Sequence, residues 1–180
     1  MRLQTTWTLL AGPLFLGMWG CQGESQPDTQ TSAIAEIERL GGRFQADWKG
    51  SDRPVIGVYL EKTPVTDADL EYLKGLTNLQ VLRLADTQVT DAGLQHLKGL
   101  TRLQWLWLSG TQVTDAGLEH LKAVTGLQKL FLSDTQITDA GLGHLKELTN
   151  LQYVSLIGSQ VTEEGVKKLH EALPDCTIQH

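Results

Sequence analysis

The chain has 180 residues, 41% of them hydrophobic and 20% charged, the mixture of one ordinary globular domain with its own core. Its formal net charge is -6 and its Lys and Arg residues form no cluster. That excludes a nucleic-acid backbone as partner, because neutralising phosphates takes grouped cations.

Residues 1–20 read as an export signal: Arg2 is followed by a run from Trp7 to Trp19 that is apolar apart from Thr8. A permanent membrane helix needs roughly 20 apolar residues, and this run stops at Gly20-Cys21. The ending Leu16-Gly17-Met18-Trp19-Gly20-Cys21 resembles that of bacterial lipoprotein signals, in which a small residue precedes a cysteine that receives lipid. Gly20 fits that place, whereas Met18 and Trp19 depart from the usual aliphatic and small residues. The resemblance implies a chain exported to the cell envelope and anchored to the membrane through lipid on Cys21. Simple secretion and an uncleaved anchor are the alternatives. Residues 21–32 contain no large apolar side chain and are expected to form a disordered tether. With Cys21 acylated, Cys176 is a lone thiol suited to packing, and the fold rests on its core rather than on a disulfide. A Cys21–Cys176 bridge would tie the tether to the far end of the domain.

Residues 33–53 are expected to cap the domain. Ile34, Ile37 and Leu40 recur at helical spacing, Gly41-Gly42 stops the helix, and Phe44 and Trp48 cover the edge. From Thr77 the chain nearly copies itself every 24 residues, with Thr77, Thr101, Thr125 and Thr149 opening successive copies. Leu79, Leu82, Leu84, Val89, Leu94, Leu97 and Leu100 set the pattern, and Val55, Val58, Leu60, Val65, Leu70, Leu73 and Leu76 form a degenerate earlier copy. Leucines two apart, as in Leu82-Arg83-Leu84, point to one side of a strand. Leu94 and Leu97, three apart, share a helical face. Between them Thr90-Asp91, Thr114-Asp115, Thr138-Asp139 and Thr162-Glu163 supply an N-cap hydroxyl and a first-turn acid.

The spacing L-x-x-L-x-L resembles the leucine-rich-repeat family, whose units run roughly 20 to 29 residues. The copies bearing Val-Thr-Asp-Ala-Gly-Leu are similar to repeats of bacterial exported proteins, and the likeness covers the chain from about Pro54 onward. It implies an α/β solenoid over residues 54–173: about five right-handed strand–helix repeats, a parallel sheet on the concave face, and a closing strand within 174–180. Thr63, Thr87, Thr111, Thr135 and Ser159 stand where the family usually carries an asparagine that bonds the adjacent turn, which implies a ladder of hydroxyls in its place.

Because the framework repeats, the outward strand positions that differ between copies are those the scaffold does not dictate. Tyr59, Trp105, Trp107, Phe131 and Tyr153 fall there, with Arg83 and Lys129 among them, and aromatics flanked by cations are the stuff of interface hot spots. These seven residues are the candidate binding site for a protein or peptide. A glycan-binding module and a passive spacer are the rival readings, and cross-strand packing alone is the structural one. His96, His120 and His144 recur on successive helices, too far apart to share a metal. Asp86, Asp91, Asp134 and Asp139 form no continuous acidic ladder for calcium, because Gly110 interrupts it. No nucleophile–base pair, phosphate-cradling loop or metal-binding cysteine set occurs, so neither catalysis nor a cofactor is expected.

Overall fold

A computed structural model describes residues 29–47 and 53–180 of the chain. The signal-like segment, Cys21 and Trp48 lie outside the described residues. Helix α1 (Thr29–Arg39) starts at Thr29 rather than at Ala33, so the end of the expected tether, 29–32, is helical. The reason lies in Gln30, whose side-chain oxygen accepts the Val55 backbone N–H at 3.0 Å and ties the first turn of the helix to the sheet. Ala33 and Ile37 are buried beneath it, and Gly41, at φ 78°, turns the chain out of the helix.

The chain then forms one seven-stranded sheet in sequence order. Strand β1 (Arg43–Ala46) pairs antiparallel with β2 (Val55–Tyr59). The strands β3 (Val81–Arg83), β4 (Trp105–Trp107), β5 (Lys129–Phe131), β6 (Tyr153–Ser155) and β7 (Thr177–Gln179) each add in parallel to the one before. The parallel register advances by one repeat at every step: Leu82 stands opposite Leu106, Leu106 opposite Leu130, and Leu130 opposite Val154. All four side chains are completely buried, together with Leu84, Leu108, Leu132 and the inner leucines of the helical side. A single aliphatic core therefore runs the length of the repeats.

The helical side lengthens along the chain. The first unit has only a 3-10 helix (Asp69–Gly75), which begins at Ala68, a residue with no capping side chain. The second has one α-turn, α2 (Asp91–Leu94), before a 3-10 continuation (Gln95–Leu97). Full helices follow in α3 (Asp115–Leu121), α4 (Asp139–Leu145) and α5 (Glu163–Ala172). Thr90, Thr114 and Thr138 cap their helices by accepting the N–H two residues on, and Thr162 accepts that of Gly165.

The same threonines carry the contact that joins one repeat to the next. Asp67 accepts the Thr90 backbone N–H at 2.8 Å on one carboxylate oxygen and the Thr90 hydroxyl at 2.7 Å on the other. Asp91 holds Thr114 in this way at 2.7 and 2.6 Å, Asp115 holds Thr138 at 2.8 and 2.6 Å, and Asp139 holds Thr162 at 2.8 and 2.6 Å. Each hydroxyl thus donates to a carboxylate and at the same time accepts from its own helix. The glycine two residues after each aspartate's repeat-mate makes room for the carboxylate: a Cβ on Gly141 would lie 2.2 Å from Asp115 Oδ1. At the start of the array no earlier repeat supplies a carboxylate, and Asp69 occupies the glycine's place. It accepts both the N–H and the hydroxyl of Thr66, at 2.8 and 2.7 Å.

The hydroxyls expected to replace the family's asparagine do not form a ladder between turns. Thr63, Thr87, Thr111 and Thr135 each donate to the carbonyl three residues back in their own turn, at 2.6 to 2.7 Å. A hydroxyl is too short to reach the neighbouring turn, as an amide does, and it closes the local bend instead. Asp86, Gly110, Asp134 and Gly158 all take a left-handed backbone after their strands. That accounts for the acid missing at Gly110: its α-carbon faces the Asp86 carboxylate, which a Cβ would meet at 2.3 Å. Cys176 is buried, and burial pushes its thiol up to about 11, the behaviour of a packing residue.

Two expectations follow from the aspartate–threonine contacts. Asp115→Ala removes two charge-assisted hydrogen bonds and should cost about 2–3 kcal/mol in urea unfolding. Glu163→Ala, which removes a carboxylate that bonds no threonine among the described residues, should change little. The hydrogen bonds from the Thr162 hydroxyl and backbone hold the Asp139 carboxyl below its ordinary value of 3.8. Its contribution is therefore complete above that value and is lost as pH falls through the lowered one. Asp139→Asn should be less stable than the parent at neutral pH, and the gap should close under acid in parallel denaturation curves.

Candidate partner-binding face

The strands leave one sheet face without covering elements, and three rows of side chains cross it. The first row runs Gly57, Val81, Trp105, Lys129, Tyr153 and Thr177; the second runs Tyr59, Arg83, Trp107, Phe131, Ser155 and Gln179. Residues just past the strands form the third: Glu61, Ala85, Ser109, Ser133 and Ile157. Strand β1 extends the first two rows, since Gln45 pairs with Gly57 and Arg43 with Tyr59. All seven residues expected at the site, Tyr59, Arg83, Trp105, Trp107, Lys129, Phe131 and Tyr153, stand on this face. The contributions of Arg43, Gln45 and Gln179 were not expected, because both flanking strands lie outside the repeated pattern.

The rings are less open than their outward positions imply. Trp107 and Phe131 are stacked at 4.6 Å between centroids with planes 5° apart, and Phe131 lies 5.3 Å from Tyr153. The Arg83 guanidinium sits 4.5 Å from the centre of Trp107 and 5.7 Å from that of Tyr59. Trp107 is thus flanked on one side by a cation from β3 and on the other by a ring from β5, as neighbours about 4.8 Å apart in a sheet dictate. Only Trp105 of the five aromatics is exposed, at 37%. It meets Trp107 edge-on at 6.1 Å and carries the Lys129 ammonium 4.7 Å from its centre. The expectation of an open aromatic patch is corrected accordingly: cross-strand stacking covers most ring faces and leaves edges toward solvent.

Hydrogen bonds pin the ends of the row. The Tyr59 hydroxyl donates to Gln45 at 3.0 Å, and that of Tyr153 to Gln179. Glu61 lies between two guanidiniums, 3.8 Å from Arg43 and 3.6 Å from Arg83. Arg43, Phe44, Tyr59 and Arg83 line a shallow cleft of about 300 Å³ there. Elsewhere, His96, His120 and His144 follow one another on the helical side, and among the described residues no three His, Cys, Asp or Glu groups gather as a metal site would require. No described helix is long and apolar enough to cross a membrane.

A parallel sheet of short strands advancing one repeat at a time, each followed by a helical turn over a continuous aliphatic core, is a leucine-rich-repeat solenoid. Such solenoids commonly serve as protein-interaction modules through their concave sheet face. The leucine-rich-repeat family model matches residues 75–98. No curated protein matches the chain in sequence. Among solved structures the chain is similar in fold to an internalin (inlF) of Listeria monocytogenes, with a TM-score of 0.59 and 23% identity over 69% of this chain and 34% of that one. A leucine-rich-repeat protein of Leptospira interrogans aligns with a TM-score of 0.50 and 21% identity over 69% of this chain and 37% of that one. An internalin C2 of Listeria monocytogenes aligns with a TM-score of 0.52 and 26% identity over 82% of this chain and 71% of that one. The chain spans little more than a third of the length of the first two.

The ring stack makes its own prediction. Phe131→Ala removes the partner of both Trp107 and Tyr153 and should cost about 1–2 kcal/mol, with loss of near-ultraviolet circular dichroism from Trp107. Trp105→Ala, at the exposed edge, should cost well under that and leave the stack intact.

Proposed function

We propose that this chain is a non-catalytic docking module that binds a protein or peptide on the sheet face built from Tyr59, Arg83, Trp105, Trp107, Lys129, Phe131 and Tyr153. The observation that carries the reading is the contrast between a framework copied from repeat to repeat and one face where bulky rings and cations replace the copied residues. Trp105 is the anchor: it projects from a preorganised support of Trp107 and Lys129, so little side-chain freedom is left to lose on binding. The signal-like segment supports export, and Gly20-Cys21 supports a lipid anchor to the cell-envelope membrane, which metabolic labelling of Cys21 with a fatty-acid analogue would test.

A glycan-binding module is the weaker reading. Sugar rings stack on open aromatic faces, and here Trp107 is flanked on both sides. A photo-crosslinking residue placed at Trp105 should capture a discrete protein from the source envelope, whereas the same residue at His120 on the helical side should not. Equal capture from both sides would defeat concave docking. Retention of the chain on purified wall glycan, abolished by Trp105→Ala, would favour the sugar.

A further inference from the structure

The chain as a whole is acidic, yet its open face has the opposite sign. Across the three rows the charged residues are Arg43, Arg83 and Lys129 against Glu61 alone, with Asp86 and Asp134 one residue beyond the third row at its margin. The chain's net charge of -6 is therefore carried elsewhere. The aspartates that hold the repeats together, Asp67, Asp91, Asp115 and Asp139, lie at the starts of the helical segments.

Resting on the docking role argued above, we infer that the occupant of this face is an acidic, extended segment of a protein partner. One of its carboxylates would meet the exposed side of the Arg43–Arg83 pair beside Glu61, and another would meet Lys129. Three features of the site favour this chemistry. The Arg43–Arg83 pair shares a single carboxylate, Glu61, at 3.6 to 3.8 Å, so two guanidiniums face one counter-charge. The pair is also open: the Arg43 and Arg83 side chains are 79% and 43% exposed, so the positive charge that Glu61 leaves unbalanced is within reach of a ligand. An incoming carboxylate supplies the second counter-charge through charge-assisted hydrogen bonds.

The third feature is the orientation of the rings. Stacking turns ring edges to solvent, and an aromatic edge carries positive partial charge while its face is negative. Guanidinium, ammonium and ring edges thus present one sign along the row. Main-chain carbonyls and acidic side chains complement it, whereas the hydrocarbon faces of a sugar find few open rings. The cleft of about 300 Å³ beside Arg43, Phe44, Tyr59 and Arg83 admits a side chain rather than a folded ligand.

The test titrates the full chain with an oligoglutamate peptide carrying one internal tyrosine and follows fluorescence polarisation of a label on the peptide. Saturable binding that weakens with salt is expected, with oligolysine of equal length inert. Arg83→Gln with Lys129→Gln should weaken it about tenfold or more, the loss expected for a charge-assisted contact, while Lys167→Gln with Lys168→Gln on α5 should leave it unchanged. Equal binding of oligolysine, equal loss with the α5 pair, or tighter binding of polygalacturonate than of oligoglutamate would each overturn the inference. Crosslinking of a protein through position 105 that survives Arg83→Gln with Lys129→Gln would overturn the acidic partner and leave concave docking standing. Circular dichroism of the variants separates loss of binding from loss of fold.

Discussion

The contact on which the rest depends is the aspartate carboxylate that reaches from one repeat to the next and takes both the backbone N–H and the hydroxyl of a threonine. Strands of three residues and helices of four to seven cannot persist alone, because nucleating a helix fixes several dihedrals for one hydrogen bond. The carboxylate bonds two groups at the start of the next helix, where the peptide dipoles favour negative charge. It therefore sets the rotation of each unit against its neighbour while the aliphatic core supplies most of the burial. Among the described residues the aspartate–threonine contact stops on both sides. Asp69 closes it internally through Thr66, and Glu163 stands where the next aspartate would be.

This arrangement separates what must be constant from what is free to vary. The threonine–aspartate pairs are tied by hydrogen bonds of 2.6 to 2.8 Å between repeats, and the leucines and the glycine that admits the carboxylate pack with them, so a change in one copy disturbs the next. The outward rows carry no such obligation. Their parallel register nonetheless aligns position on position, so that placing a guanidinium, an indole and a phenyl ring at one offset in successive copies produces a packed row.

Much of this was legible in the sequence because the signals were local and repeated. Leucines two apart and three apart fixed strand and helix, and their period fixed the register that sets Leu82 against Leu106. What escaped depended on relations between copies. Asp91 reads only as a first-turn acid until one sees that Gly117 of the next copy makes room for its carboxylate. The clue was present in the first copy, where Asp69 replaces the glycine and Arg43 stands one period before Asp67, leaving no carboxylate to accommodate. Strand β1 escaped because it lies outside the repeat and runs against it, and the early start of α1 rests on one long-range bond from Gln30. The closure of the ring faces escaped for a similar reason: outward position was legible, whereas stacking requires knowing which rings become neighbours.

Net charge is a poor guide to such a face. It weighs against a phosphate backbone as a general partner, since that interaction sums over many cations. A docking surface is decided by the few groups within about a Debye length of the ligand, roughly 8 Å at physiological salt. In this chain Asp67, Asp91, Asp115 and Asp139 serve the joints between repeats, and the cations Arg43, Arg83 and Lys129 stand among the rings. Each of the three lies 4.5 to 6.0 Å from an aromatic centre, which holds the charge in place over an apolar support. A cation fixed in that way has less side-chain entropy to lose on meeting a carboxylate than a free lysine on the helical side. The same stacking that hides the ring faces thereby prepares the charges beside them.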